Sequence, residues 1–278
     1  MPDVQFSGHE TFPLRFVWLP KAVRGAADDP GVFRSKEAIA RFGVGRNMVR
    51  AMRHWGLATG TLQPVDGTRS DVEPTAWGAA TFGADGADPY CERPETAWRL
   101  HWELCRTPDR ATLWHVLFGV WRGGPIDPDG LRHALADWLA ARHAALPSDA
   151  TLTRDLQCLA ACYAPPRSAD PEDAVASPLA ALGLADRAGG ALWLRPGRRA
   201  GLPPHVLAHA VMDYWNRTAA GRQTLALDEV LTHDGSPGRV FLLGLDQAYE
   251  LIEQAADAPD VPFRLDQTAG LQQLYRTA

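Results

Sequence analysis

Residues 34–63, RSKEAIARFGVGRNMVRAMRHWGLATGTLQ, constrain this chain more than any other stretch. They read as two short helices around a tight turn. Ser35 is an N-cap candidate for a first helix from Lys36 to about Arg41. Gly43, Val44 and Gly45 supply the turn, because glycine enters the left-handed region at little cost. A second helix is expected from Arg46 to Trp55. At about 100° per residue, Arg46, Asn47, Arg50, Arg53 and His54 fall within about 120° of one another. Met48, Val49, Ala51, Met52 and Trp55 occupy the opposite arc. One face is built to pack and the other carries guanidiniums and an amide. Arginine pairs with guanine edges, asparagine with adenine edges, and both reach phosphates, so the pattern suits a helix entering a DNA major groove.

Charge along the chain supports that reading against a merely solvated helix face. The first 56 residues hold nine Lys and Arg against five acids, a net of +4. The whole chain is −5, so the remainder carries −9. A basic head on an acidic body points to one nucleic-acid face rather than to a generally basic binder. With 278 residues, 46 % hydrophobic, and ten tryptophans, the chain can bury a large core. No apolar run approaches the roughly 18 residues of a membrane span, and the first residues do not read as a secretion signal. The expectation is a soluble cytoplasmic protein with no membrane partner. The four cysteines, Cys91, Cys105, Cys158 and Cys162, form no Cys-x-x-Cys pair and read as small buried thiols.

The predicted architecture is mainly α with short β-hairpins. Pro13 suits the first turn of a helix carrying Leu14, Val17 and Trp18, which Pro20 would kink or restart. Residues 26–32 read as a turn, 57–63 as the first strand of a wing, and 74–82 as short structure. Residues 1–82 are thus expected to form a winged helix-turn-helix DNA-binding domain. Residues 83–278 are expected to form a mainly helical domain with a winged-helix-like C-terminal part. Its helices are predicted over 96–104, 112–120, 128–144, 151–163, 203–217, 225–232 and 246–255. A hairpin turning at Gly189 and Gly190 and a strand at 240–243 complete it.

Three clusters could carry chemistry. Ser7, Gly8, His9 and Glu10 fit a capping box, although Pro13 would interrupt the helix it starts. Alternatively, Glu10 holds a metal while His9 moves a proton or touches phosphate. Asp85, Asp88, Glu92 and Glu95 precede a helix bearing His101 and Glu103. They suit that helix's N-terminal dipole, or they could offer oxygen ligands to Mg²⁺. Arg222, and Arg239 in SPGRVFL, could contact phosphate or simply stabilise surface turns. No phosphate-binding glycine loop, dinucleotide fingerprint or nucleophile elbow is present, which disfavours ATP hydrolysis and esterase chemistry.

Several blocks resemble a known family. FSGHETFPLR at 6–15, the tryptophan at 18, FGVGRNMV at 42–49, Asp88 to Tyr90, Leu100 to Trp102, and SPGRVF at 236–241 together resemble the bacterial family of domain-of-unknown-function 4007. The resemblance implies a role beside sulfur-handling enzymes that place phosphorothioates on DNA, with nicking of one strand of duplex DNA as the activity. It implies a cysteine desulfurase, an ATPase and an ATP-pyrophosphatase-type sulfur transferase as partners. The resulting expectation is that Arg46, Asn47, Arg50, Arg53 and His54 dock the duplex while Arg15 and Lys36 contact phosphate. Glu10 and Asp88 would hold Mg²⁺, with His9 as proton shuttle. The alternatives are a non-catalytic transcriptional regulator and an adaptor that brings sulfur-transfer enzymes to DNA. A homodimer is the default assembly for such readers.

Overall fold

The structure is a computed structural model that describes residues 4–68, 70–165, 177–258, 260–268 and 271–277. It is mainly helical with small antiparallel sheets. The head begins with α1 (Trp18–Asp28), α2 (Ala38–Phe42) and α3 (Arg46–Ala58), followed by the hairpin β1 (Leu62–Pro64) and β2 (Val72–Pro74) and by α4 (Ala76–Phe82). Pro20 neither kinks nor restarts α1. It is the third helical residue, where the backbone N–H has no partner to lose. The residues from Pro13 to Val17 lie outside the helix, and α1 runs on through Asp28 where a turn was expected. The Ser35 hydroxyl accepts from Glu37 N at 3.0 Å, but α2 itself starts at Ala38. The segment expected as strand from residue 57 is still helix through Ala58, and the strand begins at Leu62. Thr75 caps α4 by accepting from Gly78 N.

The body is built from α5 (Pro94–Cys105), α6 (Thr112–His115) running into a wider turn at 116–120, α7 (Pro128–Ala140) and α8 (Asp149–Tyr163). A 3₁₀ turn at 178–182 leads to β3 (Ala185–Ala188) and β4 (Ala191–Leu194). That hairpin turns at Gly189 and Gly190, both with positive φ, as expected. Then come α9 (Pro204–Ala219), β5 (Thr224–Ala226), α10 (Leu227–Thr232), α11 (Pro237–Val240), α12 (Leu245–Ala256), β6 (Phe263–Thr268) and β7 (Leu271–Arg276). The last two strands join β5 in a three-stranded sheet of order β5-β7-β6. The strand expected at 240–243 does not form: Val240 ends a one-turn helix, residues 241–242 are turn, and Leu243 makes a single bridge to Gly197. Ser236 accepts from Arg239 N and Pro237 occupies the first helical position, so the local signal is for a helix start.

The core is continuous and rich in aromatics. Trp18, Trp55, Trp102, Trp114 and Trp215 are fully buried, and all four cysteines are buried free thiols. No helix among the described residues is long and apolar enough to cross a membrane. His101 is buried at the centre of the body. Its Nε2 donates to Val240 O at 2.8 Å, and its Nδ1 accepts from the Tyr163 hydroxyl at 2.7 Å. Burial pushes its pKa down to about 4, outweighing the opposing hydrogen bond to Val240. The native state therefore holds His101 neutral, while the unfolded chain takes up a proton below the ordinary pKa of about 6.5. Acid then favours the unfolded state. We expect the urea midpoint to fall between pH 6.5 and 4, with His101 accounting for up to about 3 kcal/mol of the loss. His101→Gln, which cannot take up that proton, should show a shallower fall. A dependence as steep as that of the parent would contradict this account.

Candidate nucleic-acid interface

The turn between α2 and α3 forms because Gly43 takes a left-handed conformation (φ 67°), which ends α2 by directing its N–H back to Ile39 O. The chain then re-enters a helix at Arg46. Ala51, Met52 and Trp55 are buried on the packing side of α3, with Val49 beside them. Gly56 lets α3 pass against Leu62 of β1, since a Cβ there would sit 2.5 Å from Leu62 Cδ1. Arg46, Asn47 and Arg50 are exposed and Arg53 is half-buried. Arg46, Asn47 and Lys36 have no side-chain partner among the described residues. An open cleft of ≈ 560 Å³ lies between the segment before α2 and the start of α3. Arg34, Lys36, Arg46 and Arg50 line it, with Phe33 and Ile39 on its floor. Arg34, not anticipated from the sequence, is held there by Asp71 (Nε to Oδ1 2.8 Å). Arg15 is half-buried, and its guanidinium lies over the Trp18 ring at 5.4 Å.

His54 is a correction to the expected DNA-facing set. It is buried, packed edge-on to Trp55 and to His9. Burial, reinforced by His9 and then Arg110 and Arg53, drives its pKa down to about 3, so it is neutral at pH 7. The helical wheel placed it at the edge of the polar arc, and the segment 7–12 packs over that edge.

Residues 7–12 do not form a capped helix. They form a compact loop with Ser7, Glu10 and Thr11 all at positive φ (58°, 51° and 71°). Asp155 of α8 holds it. Both Asp155 oxygens accept from Ser7 N (3.0 and 3.1 Å), Oδ1 also accepts from the Ser7 hydroxyl (3.1 Å), and His9 Nε2 lies 3.1 Å from Oδ1. His9 Nδ1 accepts from Thr11 N at 3.1 Å, which leaves the ring proton of the neutral form on Nε2, facing Asp155. The His9 ring stacks on Trp55, and Trp55 Nε1 donates to Phe12 O at 3.0 Å. Asp155 was missed from sequence. The signal for it is a single carboxylate on the same stripe of α8 as the buried Leu152, Leu159 and Cys162.

The expected metal pair does not assemble. Glu10 faces Arg50 of α3 at 3.7 Å. Asp88 is buried at the entry to α5, where its two oxygens accept from Glu92 N (2.9 Å) and Arg93 N (3.0 Å). The two carboxylates share no partner, and no group of three or more His, Cys, Asp or Glu among the described residues is placed to hold a metal ion. Asp88 is thus the helix-entry acid of the alternative reading. His9 is enclosed, which puts its imidazole out of reach of a DNA strand in this conformation. Glu103 is tied to Arg99, Arg106 and His209. Arg222 makes a bidentate pair with Glu229, and Arg239 donates to Trp121 O, so the turns around them are structural.

Fold and surface together describe a mainly helical protein with an exposed cationic cleft beside α2 and α3. The chain belongs to the family described as protein of unknown function (DUF4007), whose profile matches residues 6–278. Among solved structures it is similar to "Magnesium ion-bound SspB crystal structure", with 30% sequence identity and a TM-score of 0.87, covering 98% of this chain and 83% of that one. A second structure, "SspB crystal structure", matches with 29% identity, a TM-score of 0.87 and the same coverage. No curated protein sequence matches this chain.

The loop geometry makes a specific demand on Gly8. A Cβ there would sit 2.3 Å from His54 Nδ1, and that ring is boxed in by His9 and Trp55. Gly8→Ala is therefore expected to destabilise the fold by about 1–3 kcal/mol, as overpacking does. Asp155→Ala, which strips three hydrogen bonds from the loop, should cost at least as much. Urea unfolding followed by tryptophan fluorescence measures both, and parental midpoints in the two variants would refute the clamp.

Proposed function

We propose that this chain docks duplex DNA with α3 and serves DNA phosphorothioation, nicking one strand of the duplex. The observation that carries the docking is the open cationic cleft. Arg46, Asn47 and Lys36 lack side-chain partners among the described residues, and the Arg50 side chain stays 61 % exposed although Glu10 is near. Cations that protein acids do not neutralise are free to displace counterions from phosphates. In this reading α1, α2 and α3 with the β1–β2 hairpin act as a winged helix-turn-helix, and residues 1–82 are the DNA-binding unit. The run from α9 to β7 repeats the order of helices followed by a hairpin, and we read it as a second winged-helix-like part. The likeness to SspB structures and the family resemblance support the phosphorothioation role, with sulfur-transfer and ATPase enzymes as partners. Arg46, Asn47, Arg50 and Arg53 meet the duplex, with Arg15 and Lys36 on phosphate. Glu10 is the acid that the loop brings to the edge of that face. One SspB neighbour carries magnesium, but Glu10 and Asp88 do not form a metal pair here, so no step of this reading runs through a metal.

A second reading, a DNA-docking adaptor without nuclease activity, is favoured by the enclosure of His9, which commits the expected proton shuttle to the loop. One measurement tests the docking that both readings share, and a second separates them. Fluorescence anisotropy with a short duplex should give log K falling against log[salt] with a slope near about −3.5, for about four phosphate contacts. Arg46→Ala and Arg50→Ala should each weaken binding, by about 1–3 kcal/mol where the side chain reaches a base, and flatten the slope by about one where it reaches a phosphate. Unchanged affinity in the double variant would show that α3 is structural. Relaxation of supercoiled plasmid, lost in Glu10→Ala, supports nicking. Tight binding with no relaxation under any divalent-ion condition supports the adaptor.

A further inference from the structure

A separate cleft of ≈ 390 Å³ opens between the entry to α5, the 178–182 turn and the loop at 198–201. That volume falls in the range of about 300–1,000 Å³ typical of small-ligand sites. Its walls combine two chemistries. Phe16, Trp98 and Leu182 supply an apolar side, and Arg93, Arg198 and Arg199 supply a cationic one. Glu92 is the one carboxylate among the residues that line it.

Arg199 is the unusual member. It is only 8 % exposed. Its Nε donates to Phe241 O at 2.9 Å, Nη1 to Arg198 O at 3.3 Å, and Nη2 to Arg195 O. All three acceptors are neutral carbonyls, and no carboxylate pairs with it among the described residues. Burial lowers its pKa, and no acid pulls it back. Buried cations in proteins normally sit beside a counter-charge, because neutral acceptors only partly replace water. Here the missing negative charge has a place to go, since the same guanidinium lines the cleft. Among the described residues, Arg198 is exposed with its guanidinium unpartnered, and Arg93 is held only by Glu95 at 3.5 Å. The indole N–H of Trp98 finds no acceptor among the described residues, which leaves one donor on the apolar side.

We propose that this cleft binds a nucleotide, with the phosphate against Arg198, Arg93 and the lining edge of Arg199, and the base against Trp98 and Phe16. Planar guanidinium forks match phosphate oxygens in pairs, and a flat base suits an aromatic and aliphatic wall. The buried Cys91 thiol, which also lines the cleft, takes no covalent part. Burial, with Asp88 nearby, pushes it up to about 12, so it stays protonated.

The test uses the full chain and isothermal titration with AMP as the probe, with adenosine and inorganic phosphate as separate titrants. AMP should bind one-to-one, and adenosine and phosphate should each bind at least about tenfold more weakly, since each forfeits one wall. Arg198→Ala, an exposed position, should weaken AMP by about tenfold or more. Ala181→Trp, which fills the cleft without altering its charge, should abolish AMP binding while leaving duplex affinity unchanged. Three results would overturn the assignment. The first is no AMP heat at millimolar concentration. The second is adenosine or phosphate binding as tightly as AMP. The third is AMP binding lost in Arg50→Ala but kept in Arg198→Ala, which would place the ligand on the α3 face instead.

Discussion

The grip of Asp155 on residues 7–12 is the interaction from which the geometry of the head follows. Three residues there, Ser7, Glu10 and Thr11, sit in a left-handed conformation without being glycine. Each costs on the order of 1–3 kcal/mol. Hydrogen bonds to a carboxylate are worth about 1.5–3 kcal/mol each, so three of them onto Ser7 are of comparable size to the strain. The loop holds its shape because a helix of the body supplies that acceptor. Once shaped, it stacks His9 on Trp55, receives the Trp55 indole N–H at Phe12, and sets Glu10 beside Arg50. The orientation of α3 relative to the body therefore runs through a residue more than a hundred positions away.

Elsewhere the protein pairs many of its arginines with acids. Arg99, Arg106 and Arg217 sit in a network with Glu103 and Asp213, and Arg222, Arg195 and Arg41 each meet an acid. Individually, exposed pairs of this kind add little stability. Their significance here is the contrast they draw. Two of the clefts hold guanidiniums that meet no acid among the described residues: Arg46 in the α3 cleft, and Arg198 and Arg199 in the cleft beside α5. One is open, lies in the positively charged head and suits a polyanion. The other is smaller, with an aromatic wall, and is the one we propose for a small anion.

The helix-turn-helix stretch was legible because its signals are local. Glycine at the left-handed position, a buried stripe of Ala51, Met52 and Trp55, and arginines on the opposite arc all follow from neighbours within a few residues. The same holds for most body helices and for the hairpin at Gly189 and Gly190. The errors have equally local causes. Proline at position 20 was read as a break although the first turn tolerates it, and the apolar run at 240–243 was read as a strand although a cap and a proline precede it. Of the candidate site, the exposed Arg46, Asn47 and Arg50 were readable. His54 was not, because only the folded loop decides that its edge of α3 is covered.

Taken alone, the order of residues determined most of the segments that become helices, which arc of α3 is apolar, and where positive charge accumulates. These are properties of periodicity and composition, which act over one or two helical turns. Tertiary structure decided which polar side chains remain free. It directed Asp88 to backbone amides and His9 to Asp155, and it left Arg199 without a counter-charge beside a cavity. Such outcomes depend on the distance between groups far apart in the chain, and hydrogen bonding and burial respond to that distance rather than to spacing along the sequence.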